Sequence, residues 1–436
     1  MYKVGLYTLG CKVSLYETEA IGEAFERAGF TVCSFDEICD VYVINTCTVT
    51  AESDAKSRKY IRRAIRKNPD AVVIVIGCYS QRAPEEVAKI EGVSAVIGTA
   101  DKMKCVEIAE RLLNAECKMQ NAKCTVASLD GAEFEPMCVE KAPRTRAYVK
   151  IEDGCECKCT YCAISAARGP VRSKKPGEVI SEVEGLYKNG TLEIVLTGIE
   201  TGSYGADFEE KYDLADLICQ LDERHSCERI RLGSMAPELL THRFVDRIAA
   251  TKIMVPHFHI SMQSGSDNTL RGMKRRYNRD MALKNIAHIR EKMPGVMLTA
   301  DLMVGFPGES EEDFLDTLRF VSEARLLDAH VFAYSKREGT PAATYENQVP
   351  EQVKKERSAR LTSECVRVRD ELLSELVEGG EPLSVIMETR KGSTINGHSD
   401  SYVEVCAESE KDLRGELVLV KPISHKNGVI YGEIIT

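Results

Sequence analysis

Three apolar runs in the first hundred residues each stop at a cysteine. They are Lys3-Val4-Gly5-Leu6-Tyr7-Thr8-Leu9-Gly10-Cys11, Val41-Tyr42-Val43-Ile44-Asn45-Thr46-Cys47 and Val72-Val73-Ile74-Val75-Ile76-Gly77-Cys78. Runs of this length fit parallel strands buried on both faces. Helical patterns at Glu17 to Ala28 and Ser53 to Lys67 separate them, so the cysteines fall 36 and 31 residues apart, the length of a strand, helix, strand unit. The pattern predicts an open parallel α/β sheet over residues 1–125. Ligands of such sheets gather beyond the carboxyl ends of the strands, so Cys11, Cys47 and Cys78 can converge on one point. A single cysteine there would read as a small buried hydrophobe; three at equivalent strand ends read as a site. Cys33, Cys39, Cys105, Cys117, Cys124, Cys138, Cys219, Cys227, Cys365 and Cys406 follow no such pattern and read as packing residues.

The chain has 436 residues, enough for about three domains. With 43% hydrophobic and 29% charged residues it has the composition of a folded globular protein, not a disordered or fibrous one. No stretch approaches the roughly 20 apolar residues of a membrane helix, and Met1-Tyr2-Lys3-Val4-Gly5 carries no signal-peptide pattern. The expectation is a cytoplasmic protein without membrane contact. A net charge of -10 rules out blanket attraction to nucleic acid, so RNA binding requires local basic patches. Seventeen cysteines, an odd number without the dense framework of a small secreted domain, suggest metal or redox chemistry.

A polar stretch from about Lys118 reads as a linker with weak strand content, assigned to residues 126–143. Residues 144–376 alternate strand and helix. The strand candidates are Ala147 to Ile151, Glu193 to Thr197, Arg229 to Gly233, His257 to Met262, Val296 to Met303 and His330 to Tyr334, with helices such as Pro176 to Asn189 and Asp280 to Lys292 between them. Six such repeats predict a partial (β/α)6 barrel or an open parallel sheet, closed by a charged helical run from Val349 to Leu376. Residues 377–436 change to short strands, Leu383 to Glu388, Tyr402 to Cys406, Glu416 to Lys421 and Gly428 to Ile435. Turn signals lie at Lys391-Gly392, Asn396-Gly397 and Asn427-Gly428. This is the outline of a small β-barrel of the oligonucleotide-binding (OB) type.

The central block opens with Cys155-Glu156-Cys157-Lys158-Cys159-Thr160-Tyr161-Cys162 directly after its first strand. Cys155, Cys159 and Cys162 form a C-x3-C-x2-C set. Three thiolates on one loop can hold three irons of a [4Fe-4S] cubane and leave the fourth open. A zinc site is the plainer alternative, but it usually pairs two C-x-x-C units, and no second unit follows. Cys157 reads as a bystander. With Tyr161 just before the last cysteine, the loop is similar to that of the radical S-adenosylmethionine (SAM) superfamily. There the open iron chelates SAM, and an electron cleaves its carbon-sulfur bond to give a 5'-deoxyadenosyl radical.

Further motifs widen the resemblance. These are Thr8-Leu9-Gly10-Cys11-Lys12-Val13, Asn45-Thr46-Cys47-Thr48-Val49-Thr50, Gly77-Cys78-Tyr79-Ser80-Gln81, Arg168-Gly169-Pro170-Val171-Arg172-Ser173, Gln263-Ser264-Gly265-Ser266-Asp267 and Asp301-Leu302-Met303-Val304-Gly305-Phe306-Pro307-Gly308-Glu309. Over essentially its whole length the chain resembles the radical SAM methylthiotransferases, with an N-terminal methylthiotransferase domain, a radical SAM domain and a C-terminal TRAM domain. Cys11-Lys12-Val13 with Tyr16-Glu17-Thr18-Glu19 is similar to the branch acting on N6-threonylcarbamoyladenosine at position 37, beside the tRNA anticodon. Ser14, Glu200 and Ala333 stand where that family usually has Asn, His and Pro.

The resemblance implies a second [4Fe-4S] cluster on Cys11, Cys47 and Cys78, and two SAM molecules, one methylating sulfur and one supplying the radical that removes hydrogen from C2 of the adenine. It also implies SAM contacts at the strand ends, namely Gly198, Ser234, Gln263, Val304 and Gly305, with Tyr161 on the loop. Partners would be the anticodon stem-loop of tRNA and an electron donor such as flavodoxin or ferredoxin. An anticodon-loop base is already unpaired, so placing it between two clusters costs little. For RNA, Lys56 to Lys67 holds seven basic residues and no acid, and Lys59, Arg62, Arg63 and Arg66 share one helical face. Arg271, Lys274, Arg275 and Arg276 form a second basic group. Three other readings stay open: action on isopentenyladenosine tRNA, action on a ribosomal protein aspartate, and a non-catalytic iron-sulfur or zinc RNA-binding protein.

Overall fold

The structure is a computed structural model that describes residues 1–114, 123–142 and 144–435. Cys117, Pro143 and the start of the polar stretch at Lys118 lie outside the described residues. The first six strands are β1 (Lys3–Thr8), β2 (Thr31–Cys33), β3 (Val41–Thr46), β4 (Val72–Gly77), β5 (Ala95–Ile97) and β6 (Lys123–Thr125). They form one parallel sheet in the order β2-β1-β3-β4-β5-β6. Every residue of β3 and β4 is buried, because alternate side chains enter opposite cores. Val41, Val43, Val72 and Ile74 meet Ile21 and Phe25 on one face. Tyr42, Ile44, Val73 and Val75 meet Ile61 and Ala64 on the other. The short strands β2, β5 and β6 extend the expected sheet at both edges.

The central strands are β7 (Arg146–Lys150), the small hairpin-like pair β8 (Glu152–Asp153) and β9 (Arg172–Ser173), then β10 (Glu193–Thr197), β11 (Arg229–Leu232), β12 (His257–Gln263), β13 (Met297–Val304) and β14 (Asp328–Ala333). Two parallel triplets, β11-β10-β7 and β12-β13-β14, meet where Met235, just past β11, bridges in parallel to Ile260. The six main strands therefore run in sequence order as a partial barrel, with helices such as Pro176–Lys188 and Arg279–Lys292 outside. A 29-residue helix, Glu351–Gly379, packs on β14 and leads into the last block.

There, β15 (Leu383–Lys391), β16 (Thr394–Ser399), β17 (Glu404–Glu408), β18 (Leu417–Lys426) and β19 (Val429–Ile435) close into a barrel ordered β15-β16-β17-β19-β18. Two of the three expected turns are present, at Gly392 and at Asn427-Gly428, where both residues take positive φ. Asn396-Gly397 is not a turn: it lies inside β16, where Gly397 passes against the Ile386 carbonyl too closely for a side chain. Closure of the barrel outweighs the local turn preference there. The five barrel strands are not an isolated bead, since Val385, Met387, Val405 and Ile430 belong to the same apolar core as the central strands.

The stretch before the central block is no loose linker. Met137 and Val139 are buried in the central core. The Met137 carbonyl accepts from Tyr16 Oη at 2.8 Å and Lys174 Nζ at 2.7 Å, and the Val139 amide donates to Glu182 at 2.7 Å. It is a strap tying the first sheet to the central barrel. Among the described residues no helix is long and apolar enough to cross a membrane.

Candidate active site

The three N-terminal cysteines sit where strands hand over to helices. Cys11 caps the helix Lys12–Arg27, Cys47 follows β3, and Cys78 begins the helix Cys78–Arg82 after β4. Thr50, three residues beyond Cys47, accepts from the Ser53 amide at 3.1 Å and starts the helix Ala51–Lys67. The strand ends are packed tightly: Gly77 has φ +99°, and a side chain there would collide with Asn45 Oδ1 at 2.5 Å and the Thr46 carbonyl at 2.6 Å. Cys47 and Cys78 are buried and Cys11 is exposed, which leaves the group open on one side.

Beside Cys78 lies a fully enclosed charge cluster. Arg168 Nε donates to Cys78 Sγ at 3.2 Å, and its Nη1 donates to Glu17 at 2.6 Å and to Asp153 at 3.1 Å. Lys150 donates to Glu17 at 3.1 Å and Asp153 at 3.0 Å, and Lys102 pairs with Glu17 at 3.1 Å. Glu17, Lys102, Lys150 and Arg168 are all at 0% exposure. Burial alone would protonate Glu17, but Arg168, Lys102 and Lys150 overcome it and hold the carboxylate well below its usual range. Asp153 is lowered by Arg168 and Lys150 in the same way, against its own burial. Burial pushes the Cys78 thiol up to about 11 despite Arg168.

In the loop after β8, each of the three spaced sulfurs accepts one N–H. Cys155 accepts from the Cys157 amide at 3.4 Å, Cys159 from Arg275 Nη1 at 3.2 Å and Cys162 from the Ile164 amide at 3.4 Å. Such bonds are among the levers that set cluster potentials. Cys157 lies close to both Cys155 and Cys159, and its thiol is raised to about 11 by the bond to Cys155. Tyr161 packs edge-on to Phe306 with ring centroids 6.5 Å apart. Among the described residues no preformed group of three or more His, Cys, Asp or Glu is closed around a metal position. Three cysteines whose sulfurs each accept an N–H fit a [4Fe-4S] cubane with one iron left open.

The expected SAM-contact residues divide. Gly198 and Ser234 line a cavity of about 890 Å³ that also takes in Cys11, Arg231 and Asp301. Gly198 has no room for a side chain because Glu152 Oε2 lies against it. Gln263 is buried with φ +65°, a left-handed conformation that a non-glycine residue keeps mostly at functional sites. Val304 is fully buried, and Gly305 donates its amide to Glu309 at 2.8 Å and packs against Lys354, so both also serve the turn itself.

Sequence reasoning missed two carboxylates at this rim. Glu152 accepts from the Glu200 amide at 2.9 Å and Glu200 from the Ala236 amide at 3.1 Å. Neither has a cationic partner within ion-pair distance among the described residues, and burial raises Glu200 to about 7 and Glu152 well above the usual carboxylate range. Its only sequence signal was Glu200 standing in place of an expected His. Also unforeseen was Tyr402, φ +70°, whose ring stacks between His257 and His398 with Arg231 over it. It brings the C-terminal barrel to the cavity wall.

Of the basic residues, Lys59, Arg62 and Arg66 are exposed, whereas Arg63 is turned to Asp36 and stacks over Tyr60. Lys274 and Arg276 are on the surface. Arg275 is not available to phosphate: its guanidinium is taken up by Cys159, the Ser261 carbonyl and Tyr277, which draw it inward.

Comparisons with known proteins agree with this anatomy. Residues 149–321 match the radical SAM superfamily and residues 3–98 match the Uncharacterized protein family UPF0004. The threonylcarbamoyladenosine tRNA methylthiotransferase MtaB of Bacillus subtilis is 40% identical, over 99% of this chain and 96% of that protein. The tRNA-2-methylthio-N(6)-dimethylallyladenosine synthase of Alkaliphilus oremlandii is 32% identical, over 99% and 93%. Among solved structures, the radical SAM methyltransferase TsrM from Kitasatospora setae, with cobalamin and a [4Fe-4S] cluster bound, shares the fold at TM-score 0.57 and 16% identity, covering 79% of this chain and 77% of that one. With near-complete coverage at 40% identity, a radical SAM domain and two sets of three cysteines at one end of two parallel sheets, the chain belongs to the radical SAM methylthiotransferase family.

Proposed function

We propose that this protein converts N6-threonylcarbamoyladenosine at position 37 of tRNA to its 2-methylthio derivative. The observation that carries the reading is the cavity shared by Cys11, from the first sheet, and by Gly198 and Ser234, from the strand ends of the central barrel. A base held there lies beside Cys11 and beside Gly198, which abuts Glu152 just ahead of the cysteine loop. When bound, two [4Fe-4S] clusters and SAM supply reductive cleavage of SAM at one site and a methylated sulfur at the other.

The residues of this chain hold and position. Cys155, Cys159 and Cys162 hold the first cluster, and the N–H donors of Arg275, Cys157 and Ile164 steady their sulfurs. Cys11, Cys47 and Cys78 hold the second, with Arg168 linking Cys78 to the central barrel. Gly198, Ser234 and Gln263 border the place of SAM. Lys59, Arg62 and Arg66, with Lys274 and Arg276, offer exposed charge to the phosphates of the anticodon stem-loop. A flavodoxin or ferredoxin supplies electrons, and the reaction takes place in the cytoplasm. The polar cavity wall, with Lys12, His259 and Asp301, favours this substrate over the apolar dimethylallyl group of the other tRNA branch.

Mass spectrometry of tRNA nucleosides from cells that lack and then regain this gene tests the proposal. The 2-methylthio derivative of N6-threonylcarbamoyladenosine should vanish and return. Unchanged levels of it, or loss of the isopentenyl derivative instead, would refute the assignment.

A further inference from the structure

The cavity continues past Cys11 along the inner face of β11, β12 and β13 to Tyr402. Most polar groups on its wall satisfy one another. Arg231 gives Nε and Nη2 to Glu193 at 2.8 and 3.0 Å. Thr299 Oγ1 lies 3.0 Å from His257 Nε2 and 2.8 Å from His259 Nδ1, and Asp301 meets His259 at 3.1 Å and His330 at 3.2 Å. Asp328 is 3.6 Å from Arg369, and Glu404 is exposed.

Two cationic donors are left over. Lys12, half-buried on the wall, makes no hydrogen bond or ion pair among the described residues. Arg231 Nη1 is buried without a partner. Lys12 and Arg231 line the same cavity, and an unpaired buried donor carries a desolvation penalty. Asp301 on the same wall is engaged by His259 and His330, and among the described residues no carboxylate lies at hydrogen-bond distance from Lys12 or from Arg231 Nη1.

We propose that Lys12 and Arg231 Nη1 bind the carboxylate of the substrate's threonyl group and so set which modified adenine is accepted. This rests on the function proposed above. N6-threonylcarbamoyladenosine ends in a carboxylate and a hydroxyl, whereas a dimethylallyl group ends in two methyls and would leave both donors unpaired. A site built to hydrogen-bond a substrate group discriminates strongly against an analogue that lacks it.

Anticodon stem-loops carrying the threonylcarbamoyl acid, its methyl ester or unmodified adenosine test this against the wild-type protein, Lys12→Met and Lys12→Arg. The wild type should bind the acid about tenfold to a hundredfold more tightly than the ester, as expected for a charge-assisted hydrogen bond. Lys12→Met should bring that ratio close to one, and Lys12→Arg should keep most of it. Since the ester is tested on unaltered protein, a folding defect in a variant does not decide the matter. Equal binding of acid and ester by the wild type overturns the proposal. So does a Lys12→Met loss that is as large on unmodified adenosine as on the acid, which would assign the lysine to an RNA phosphate. Product analysis separates the two levels: methylthiolation of acid and ester alike ends this inference only, while turnover of an isopentenyl stem-loop and neither of these ends the function reading.

Discussion

Cys155, Cys159 and Cys162 lie within eight residues of one loop, whereas Cys11, Cys47 and Cys78 are brought together from the ends of three different segments of a folded sheet. Their surroundings differ as well. The loop set is steadied by two backbone amides and by Arg275, next to carboxylates whose burial is uncompensated. The strand-end set adjoins carboxylates held ionised by three buried cations. The loop cysteines are neighbours in sequence; the strand-end cysteines meet only when the sheet is complete. That contrast can be tested by breaking each side in turn.

The largest effect is expected from Cys155→Ala/Cys159→Ala/Cys162→Ala, which should abolish 5'-deoxyadenosine formation while the first sheet stays folded. Measurable 5'-deoxyadenosine from that variant would remove the loop assignment. Next, Cys11→Ala/Cys47→Ala/Cys78→Ala should drop anaerobically reconstituted iron from about eight to about four per chain, keep SAM cleavage and lose methylthio transfer. Full iron loading there would show these three to be packing residues.

Removing the cation beside each set should separate the two by stability. Arg168→Met leaves Glu17 and Asp153 under-compensated in a fully buried setting and should lower unfolding free energy by ~3–5 kcal/mol. Arg275→Met removes bonds to a sulfur, a carbonyl and a tyrosine and should cost about 1–3 kcal/mol. Urea unfolding at pH 7 measures both, and equal losses would erase the contrast.

The pH profile sharpens it further. Glu200 is raised by burial from 4.5 to about 7, so the folded state holds a proton that the unfolded chain releases above pH ~4.3. Stability is unaffected below that, falls as pH rises toward 7 and levels off beyond, by ~3–4 kcal/mol in total. Glu17 has the opposite sign: its depressed value adds stability above pH ~4.3 that is lost only in stronger acid. Iron-free protein should therefore be less stable at pH 7.5 than at pH 5, and Glu200→Gln should flatten that slope; an identical slope in the variant would contradict the burial argument. The smallest change is expected from Cys157→Ala, about 1 kcal/mol, with product formation retained. Loss of SAM cleavage would mean that Cys157 is a ligand.

The same contrast explains what could be read in advance. A loop motif is contiguous, so its chemistry is visible in eight letters. The strand-end set was legible only because each cysteine closes a similar apolar run. The charge cluster was not: Glu17, Lys102, Asp153 and Arg168 are far apart in the chain, and each alone looks like a surface residue. The three-residue strands β2, β5 and β6 are too short to show a period, and they exist because β1 and β4 offer free edges. Asn396-Gly397 has the letters of a turn, yet the barrel needs a fifth strand there. The strap through Met137 and Val139 shows no period of strand or helix, and among its described residues only Leu129, Met137 and Val139 are buried.

The enclosed cluster of Glu17, Lys102, Lys150, Asp153 and Arg168 also limits how such a protein can be inherited in pieces. Glu17 and Lys102 come from the first sheet and Lys150, Asp153 and Arg168 from the central barrel. A recombinant whose two halves did not carry matching charges at these positions would seal the mismatch away from water. At this junction the first two domains therefore have to be exchanged together, not singly.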